Sequence, residues 1–409
     1  MRRKEVDRAA IGMASSAGMS GRVTADHRNL GLRIGKTRIS GHLTCYGFVG
    51  AAVVLLLPFQ QAMAGEDSQD LRLIPSVIVS SAVPPNGDGN PYGVAFVPPG
   101  FPQGGSLKPG DVLVSNFNNS VPTQGTGTTI IKLTPNGKVV PAGSAAVFFQ
   151  GPKGLGLTTA LGVLRRGFVL VGSVPTTQGT FATIQPGSLL ILDSNAKIVT
   201  TLTKANLLDS PWDLTIQDGG DVAKVFVSNV VSGTVTRLDL AIISGKPVVM
   251  STIQIAKGYT VVPNMAAVIL GPTGLAYDAE KDVLYVASTA DNAIFAVPNA
   301  GSRNAPPLNG TGKVIFQGNH LRGPLALVLA PNGDLITSNG DAVNADVNQP
   351  SEIVEFTKEG KFIGEFNVDP AQGGAFGIAV ESLDDDRARF AAVNDNANDI
   401  SVYTLRTGE

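Results

Sequence analysis

One short motif recurs six times along this chain, and its spacing constrains the fold more than any other feature. The motif opens an apolar run of strand length, and its copies are PYGVAF from Pro91, GPKGLGL from Gly151, SPWDLTI from Ser210, GPTGLAY from Gly271, GPLALVL from Gly323 and AFGIAV from Ala375. The steps between copies are 61, 59, 61, 52 and 51 residues, counted at Gly93, Gly154, Asp213, Gly274, Ala326 and Gly377. A nearly constant period of this size indicates an array of repeated supersecondary units.

A second ladder of residues follows the first in phase. It marks the ends of the next apolar runs, and its steps are 57, 56, 59, 51 and 55 residues, counted at Asn116, Ser173, Asn229, Ser288, Asn339 and Asn394. Each unit therefore begins with a hairpin, and two further strand-like runs follow it. Four antiparallel strands in about fifty residues are typical of a propeller blade. The sequence predicts an all-β, six-bladed β-propeller with four-stranded antiparallel blades.

The blades and their closure can be placed on the chain. We place the blades at about 91–150, 151–203, 210–256, 271–318, 323–369 and 374–405. The last blade shows only three strands, and a strand-like run at 71–81 precedes the first motif. We expect this N-terminal strand to complete the last blade, because such closure removes exposed sheet edges. The apolar segment 257–270 lies between blades, and we interpret it as an ordinary connector on the blade edges rather than a cover over the central funnel.

Residues 1–64 have the pattern of an export leader. A polar, basic stretch precedes an apolar run of twelve residues, Tyr46 to Leu57, and Ala62-Met63-Ala64 forms an A-x-A cleavage site before Gly65. We interpret 1–64 as a basic leader and signal peptide, and 65–409 as the propeller. The run is shorter than the roughly twenty residues of a membrane span, so we expect a periplasmic or secreted protein with no span after cleavage. An uncleaved anchor is the alternative.

Charge and cysteine content narrow the classes of partner. The leader contains nine of the 31 Lys and Arg residues and three of the 33 Asp and Glu residues, which leaves 22 against 30, a net charge near −8. Nucleic acids reward clustered positive charge, so we expect no nucleic-acid partner. Cys45, the only cysteine, lies in the leader, which excludes disulfides from the exported chain. We expect a monomer.

Candidate ligand-binding residues come from the strand openings. In a propeller the inner strands start around one end of the central funnel, where convergent aromatic and polar side chains can form a pocket for a small molecule, a peptide or a partner protein. Trp212, the only tryptophan, lies beside Asp213, and this pair is the first candidate contact. The candidate funnel residues are Tyr92, Lys153, Trp212, Asp213, Thr273 and Phe376. The alternative for the aromatic residues is packing between blades.

The repeats resemble a known group. The G-P-x-G-L-A opening, the L-Y-V-A-S strand and the D-N-x-I strand of the fourth unit are similar to NHL repeats, over essentially all of 71–405. Six-bladed relatives in this broad group include gluconolactonase-like enzymes, strictosidine synthase-like proteins, amidating lyases and many binding propellers. The resemblance implies a fold, and a fold does not specify a function.

Two enzyme families in this group require particular metal-binding residues. The amidating lyases would need several histidines for a metal site, and only His320 follows the leader. Gluconolactonase-like enzymes hold a divalent cation with one Glu, one or two Asn and one Asp from inner strands. The resemblance implies that an oxygen shell for calcium or a similar cation would be formed by Asn116, Asn229, Asn339, Asn394 and Asp395. The sequence departs from the enzymes in one respect, because no strand opening contains a Glu. Stapling of neighbouring backbone is the other interpretation of this Asn ladder.

We therefore favour a binding module that acts through its funnel face. The alternative is a divalent-cation-dependent hydrolase or lyase with an axial Asn/Asp site.

Overall fold

A computed structural model describes residues 71–135, 139–305, 310–318, 320–340, 351–371, 373–384 and 387–407. The leader and its cleavage site, 1–64, lie outside the described residues. In the part of the chain that is described, no helix has the length and apolarity needed to cross a membrane.

The described chain forms six four-stranded antiparallel sheets and one two-stranded hairpin. The closing strand is β1 (Leu71–Ser81). Blade one contains β2 (Gly89–Phe96), β3 (Val112–Asn118), β4 (Thr129–Leu133) and β5 (Ala146–Gln150). Blade two contains β6 (Leu157–Leu164), β7 (Phe168–Ser173), β8 (Ser188–Asp193) and β9 (Ile198–Leu202). Blade three contains β10 (Pro211–Asp218), β11 (Val222–Asn229), β12 (Thr234–Ile243) and β13 (Lys246–Lys257).

The second half repeats this plan after the hairpin. The hairpin pairs β14 (Val262–Asn264) with β15 (Val268–Leu270). Blade four contains β16 (Pro272–Asp278), β17 (Val283–Ser288), β18 (Ala293–Pro298) and β19 (Lys313–Gln317). Blade five contains β20 (Pro324–Leu329), β21 (Leu335–Asn339), β22 (Ser351–Phe356) and β23 (Phe362–Asp369). Blade six contains β24 (Ala375–Ser382), β25 (Arg387–Asn394) and β26 (Asp399–Thr407). Two short 3₁₀ turns, Phe181–Thr183 and Lys204–Asn206, lie in blade-two loops.

Apolar layers between neighbouring blades hold the ring together. Leu113 of blade one, for example, belongs to the same buried cluster as Leu161 and Val171 of blade two. Because both faces of a blade are covered, β3 and β7 are buried along their whole lengths, and each begins with a continuous apolar run. The outer strand β9 keeps most of its side chains at the surface. This is the pattern from which the repeats were recognised, and the prediction of a six-bladed, NHL-type propeller is confirmed.

The closure of the ring is confirmed as well. β1 pairs antiparallel with β26, from Leu71 opposite Thr407 to Ser81 opposite Asp399, with an irregularity between Ile74 and Ile78. Blade six is therefore built from both ends of the described chain, in the order β1-β26-β25-β24. Without β1, the edge of β26 would be left unpaired.

Each inner strand begins with a β-bulge, which turns side chains toward the axis. In β2 the pairing passes from Pro91 to Gly93, and in β10 it passes from Pro211 to Asp213, so that one residue is left over in each. A bulge re-aims a side chain while the ladder continues. The bulged residues of the six blades are Tyr92, Thr158 with Thr159, Trp212, Thr273, Leu325 and Phe376.

Candidate functional site

Four aromatic rings fill the axis at the end where the inner strands begin. Tyr92 and Phe117 stack with ring centroids 4.8 Å apart, and Trp212 meets Phe117 edge-on at 5.7 Å. Phe376 lies 5.0 Å from Tyr92. We call these four residues the aromatic cluster. Sequence reasoning missed Phe117, although its place immediately after Asn116 in the second ladder could have identified it.

A short hairpin covers this cluster. Val268 and Ile269 are buried in the same apolar core as Tyr92, Trp212 and Phe376, so the segment 262–270 lies over the end of the funnel. We call it the cap hairpin. The expectation that 257–270 is an ordinary edge connector is wrong, because burial of its apolar face needs the aromatic cluster beneath it. The space left between cap and cluster is only about 10 Å³.

The cap hairpin is both fastened and strained near its tip, where Asn264 pairs with Val268. The Gln124 side chain of a blade-one loop donates to the carbonyl of Ala266 at 2.7 Å. Val268 has φ +62°, a left-handed conformation that β-branched residues rarely adopt. Such a conformation persists when surrounding packing enforces it, and here both Val268 and Ile269 are buried.

The structure brings some of the candidate funnel residues together and separates others. Tyr92, Trp212 and Phe376 meet in the aromatic cluster, where Trp212 is only 1% exposed. Thr273 is buried at the same level, and its hydroxyl lies 3.2 Å from the carbonyl of Pro324. Lys153 lies in an exposed turn before β6, where the motif alignment had placed a strand opening. A ligand role for these residues stays a prediction.

The Asn ladder holds backbone in place. Asn229 Nδ2 donates to Leu207 O at 3.2 Å, and its Oδ1 accepts from the backbone N–H of Asp209 at 3.2 Å. Asn339 repeats this pattern, with Nδ2 donating to His320 O at 2.8 Å and Oδ1 accepting from Arg322 N at 3.0 Å. These contacts fasten β11 and β21 to the segments that lead into their own blades, as the stapling interpretation requires.

The residues present do not fit the divalent-cation site that the resemblance implied. Asn116 Nδ2 donates to Ala82 O at 3.0 Å, and Asn394 Nδ2 donates to Asp369 at 2.8 Å. Of the four Asn side chains in this candidate set, Asn116 alone has a buried Oδ1 that accepts no hydrogen bond, and one amide oxygen is not a coordination shell. Asp395 donates its backbone N–H to Gly374 O at 3.0 Å. Among the described residues no three His, Cys, Asp or Glu side chains are placed to hold a metal ion.

A channel of about 350 Å³ runs along the axis beyond the aromatic cluster. All six inner strands line it, and it opens at the end opposite the cap hairpin, where the inner strands turn into the second strands. We call it the axial channel. Most of the side chains that line it are apolar, although about half of its surface is polar, and the inner-strand residues along it include Phe96, Val163, Ile216, Tyr277, Leu329 and Val380.

Asp213 belongs to this channel and not to the aromatic cluster. The bulge in β10 places Trp212 in the cluster, whereas Asp213 lines the channel and is 9% exposed. Its Oδ1 accepts the backbone N–H of Leu214 at 2.7 Å. Burial raises the pKa of Asp213 to about 8, and the Leu214 hydrogen bond only partly opposes this.

The other acid of the channel is neutralised at its mouth. Glu381 of β24 accepts from Arg389 Nε at 3.0 Å. The Arg389 guanidinium also lies 5.2 Å from the centre of the Phe96 ring, a cation–π distance. The mouth of the channel therefore carries the Glu381–Arg389 ion pair beside apolar side chains. At the floor of the channel, Asp213 has no cation near its carboxyl group among the described residues.

No protein-family model matches the chain, and no curated protein matches it. Among solved structures, a gluconolactonase from Xanthomonas campestris is similar over 82% of this chain and 90% of its own, with 12% identity and a TM-score of 0.49. Regucalcin, a calcium-binding protein from Agrobacterium tumefaciens, is similar over 82% and 95%, with 14% identity and a TM-score of 0.45. A chain of the nidogen–laminin complex is similar over 71% and 84%, with 10% identity and a TM-score of 0.40. At these values the likeness concerns the propeller fold alone.

Proposed function

We propose that this protein is an exported binding module that takes a small molecule into its axial channel. The observation that supports the proposal is the channel itself, a space of about 350 Å³ enclosed by all six blades with an acid at its floor. Small-molecule sites have volumes of about 300–1,000 Å³, mostly apolar walls and a few placed polar groups.

The two ends of the axis differ in a way that favours the channel. At the end with the cap hairpin, the side chains proposed from sequence are packed against each other and leave about 10 Å³. At the opposite end the inner strands enclose a space that needs no rearrangement to admit a ligand. Of the residues proposed from sequence, Asp213 is the one that lines this space.

Export is proposed from the leader sequence. The basic stretch, the apolar run and the A-x-A site predict cleavage before Gly65. N-terminal sequencing of the protein recovered from the periplasm or the medium should begin at Gly65. Recovery of the intact chain in the membrane fraction would contradict the proposal and favour the uncleaved anchor.

The hydrolase or lyase alternative is not favoured. It would use the Asn ladder as cation ligands, whereas the amides of Asn116, Asn229 and Asn339 bind backbone carbonyls and that of Asn394 binds Asp369. A role in binding needs only the channel.

The binding proposal can be tested by blocking the channel. Val163 and Leu329 are half-buried at its outer end, so Val163→Trp and Leu329→Trp should fill it. Val121, which is 70% exposed in a loop after β3, provides the control variant Val121→Trp. We expect fragments that bind the unmodified protein in saturation-transfer NMR to lose binding in both channel variants and to keep it in the control. Binding that survives both channel variants would place the ligand elsewhere.

A further inference from the structure

In each blade one residue of the inner strand directly follows the bulge, and together these six residues form a ring around the axis. The residue is small, Gly or Ala, in five blades and acidic in one. These positions are Gly93, Ala160, Asp213, Gly274, Ala326 and Gly377. They lie at one level of the axis, between the aromatic cluster and the axial channel. Asp213 is thus an exception within a repeated pattern.

Close backbone contact explains the small residues. A Cβ on Gly377 would lie 2.0 Å from the carbonyl oxygen of Tyr92, and one on Gly93 would lie 2.6 Å from that of Thr159. A Cβ on Gly274 would lie 2.4 Å from the backbone nitrogen of Leu327. No side chain fits at these places, because inner strands of adjacent blades touch. In β10 the same level admits a carboxyl group, which becomes part of the channel floor.

The surroundings of Asp213 contain no cation that would keep it ionised. Strands β6 and β7, which pack against β10, carry no titratable residue. The titratable groups on the other neighbouring strands and on β10 itself are Asp218, Lys224, Tyr277, Asp278 and Glu381.

Each of these groups either has another partner or lies away from the channel. Asp278 is paired with Lys358 at 2.8 Å, and the hydroxyl of Tyr277 donates to Asp282 at 2.9 Å. Glu381 is bound by Arg389, and Asp218 pairs with Arg165 on the outside of the ring at 3.6 Å. Lys224 lines a separate surface depression.

The buried Asp213 side chain also makes few contacts that would stabilise the fold. Within the described chain its carboxyl group accepts one hydrogen bond, which the backbone N–H of the neighbouring Leu214 donates to Oδ1. A buried acid with one local hydrogen bond and no counter-charge is costly. Such groups occur at functional sites more often than in structural cores.

We infer that the axial channel selects uncharged small molecules, and that Asp213 Oδ2, as a protonated acid, donates a hydrogen bond to an acceptor oxygen of the ligand. This inference rests on the proposed function. An uncharged carbonyl or hydroxyl compound with an apolar body matches the apolar side chains of the walls and the carboxyl group at the floor. An anion would lack a cationic partner in the channel, and a cation would require Asp213 to ionise there.

The inference predicts a specific dependence on pH. Burial holds the pKa of Asp213 near 8, so the donor is present at neutral pH and is lost as the pH rises through that value. Affinity for an acceptor ligand should be constant from pH 5 to 7. Above pH 8 it should fall with the protonated fraction of Asp213 and level off at about a tenth of its value, because the carboxylate cannot donate.

Three probes of matched shape test the inference: cyclohexanone, cyclohexylamine and cyclohexanecarboxylate. We expect cyclohexanone to bind best at pH 7 by saturation-transfer NMR and calorimetry. Asp213→Ala should lose about tenfold in affinity for cyclohexanone, since it removes the donor. Asp213→Asn keeps a donor on its amide, so it should retain binding but lose the pH dependence. Asp221→Asn is the control, since Asp221 is exposed in the turn after β10 and pairs with Arg166.

The outcomes separate the inference from the proposed function. Failure of all three probes to bind at any pH would overturn both. Binding of cyclohexanone that is the same in Asp213→Ala and at pH 9 would overturn the inference alone. Preferred binding of cyclohexylamine, with release of a proton to the buffer, would show that Asp213 acts as a carboxylate and would also overturn it.

Discussion

Replacement of Asp213 by asparagine should stabilise the protein at neutral pH, by an amount that depends on pH. The folded state holds the pKa of Asp213 at about 8, against an ordinary value of 3.8. Between these values the folded state binds the proton and the unfolded state releases it, so the stability of the unmodified protein falls as pH rises. Each pKa unit corresponds to about 1.4 kcal/mol, which gives a penalty of about 4 kcal/mol at pH 7. Asparagine has nearly the same shape and cannot ionise, so it avoids this penalty.

The assay is urea unfolding of both proteins at pH 5, 6, 7 and 8. The free energy of unfolding of Asp213→Asn minus that of the unmodified protein should grow by about 1.4 kcal/mol per pH unit from pH 5 to 7, and by less toward pH 8, where the folded carboxyl itself begins to ionise. The other ionisable groups are the same in both proteins and cancel in the difference. A difference that does not vary with pH would refute the reasoning, because Asp213 would then have the same pKa folded and unfolded.

Three further predictions concern the ring and its cap. Deletion of 71–81 should lower Tm by more than about 10 °C in calorimetry, because blade six loses the pairing of β1 with β26; an unchanged melting curve would contradict closure. Trp212→Ala should lower the free energy of unfolding by about 3–5 kcal/mol in urea, because the aromatic cluster and the cap hairpin cannot fill the cavity that the indole leaves. Trp212→Phe should lower it clearly less, and equal losses in the two variants would show that ring size does not matter there. Asn229→Ala should cost about 1–3 kcal/mol to the same extent with and without added calcium, as a backbone staple would, whereas a loss seen only with calcium would indicate a cation ligand.

The blades could be predicted from sequence because their information is local. Each blade is covered on both faces, so its second strand begins with an apolar run, as β3 and β7 do, and the turn residues between strands recur at the blade period. The closing strand could be predicted because the last blade showed only three strands and the run at 71–81 belonged to no blade. These inferences need only counting along the chain.

The error at Lys153 shows where counting fails. Blade two has two bulged residues, Thr158 and Thr159, and its inner strand begins at Leu157. The motif copy from Gly151 therefore precedes the strand and lies in a turn. Counted at the equivalent positions Gly154 and Ala160, the motif copy is six residues too early, and the one additional bulged residue accounts for only one of these. Gly154 and Gly156 both have positive φ, so this copy of the motif forms a turn that has the same composition as a strand opening.

The cap hairpin could not be placed from sequence for a different reason. Its buried residues Val268 and Ile269 lie in one core with Tyr92 and Phe376. These contacts join segments more than a hundred residues apart, and no local pattern reports them. An apolar connector on a blade edge and an apolar cap have the same composition, and only the aromatic cluster beneath decides between them.

The bulge in β10 divides two adjacent residues between two environments, and this division links the cap to the channel. Trp212 fills the axis on one side of the ring of small residues, and Asp213 faces the channel on the other. Water can then reach the acid only from the open mouth, because the aromatic cluster and the cap hairpin seal the far end. The raised pKa of Asp213 is due mainly to its burial, so it depends on that seal. Opening the seal with Trp212→Ala should hydrate the carboxyl and lower its pKa, which a ¹³C-carboxyl NMR titration would show. The same titration in Trp212→Phe should stay close to the unmodified protein. An unchanged titration in Trp212→Ala would mean that the apolar walls of the channel desolvate Asp213 on their own.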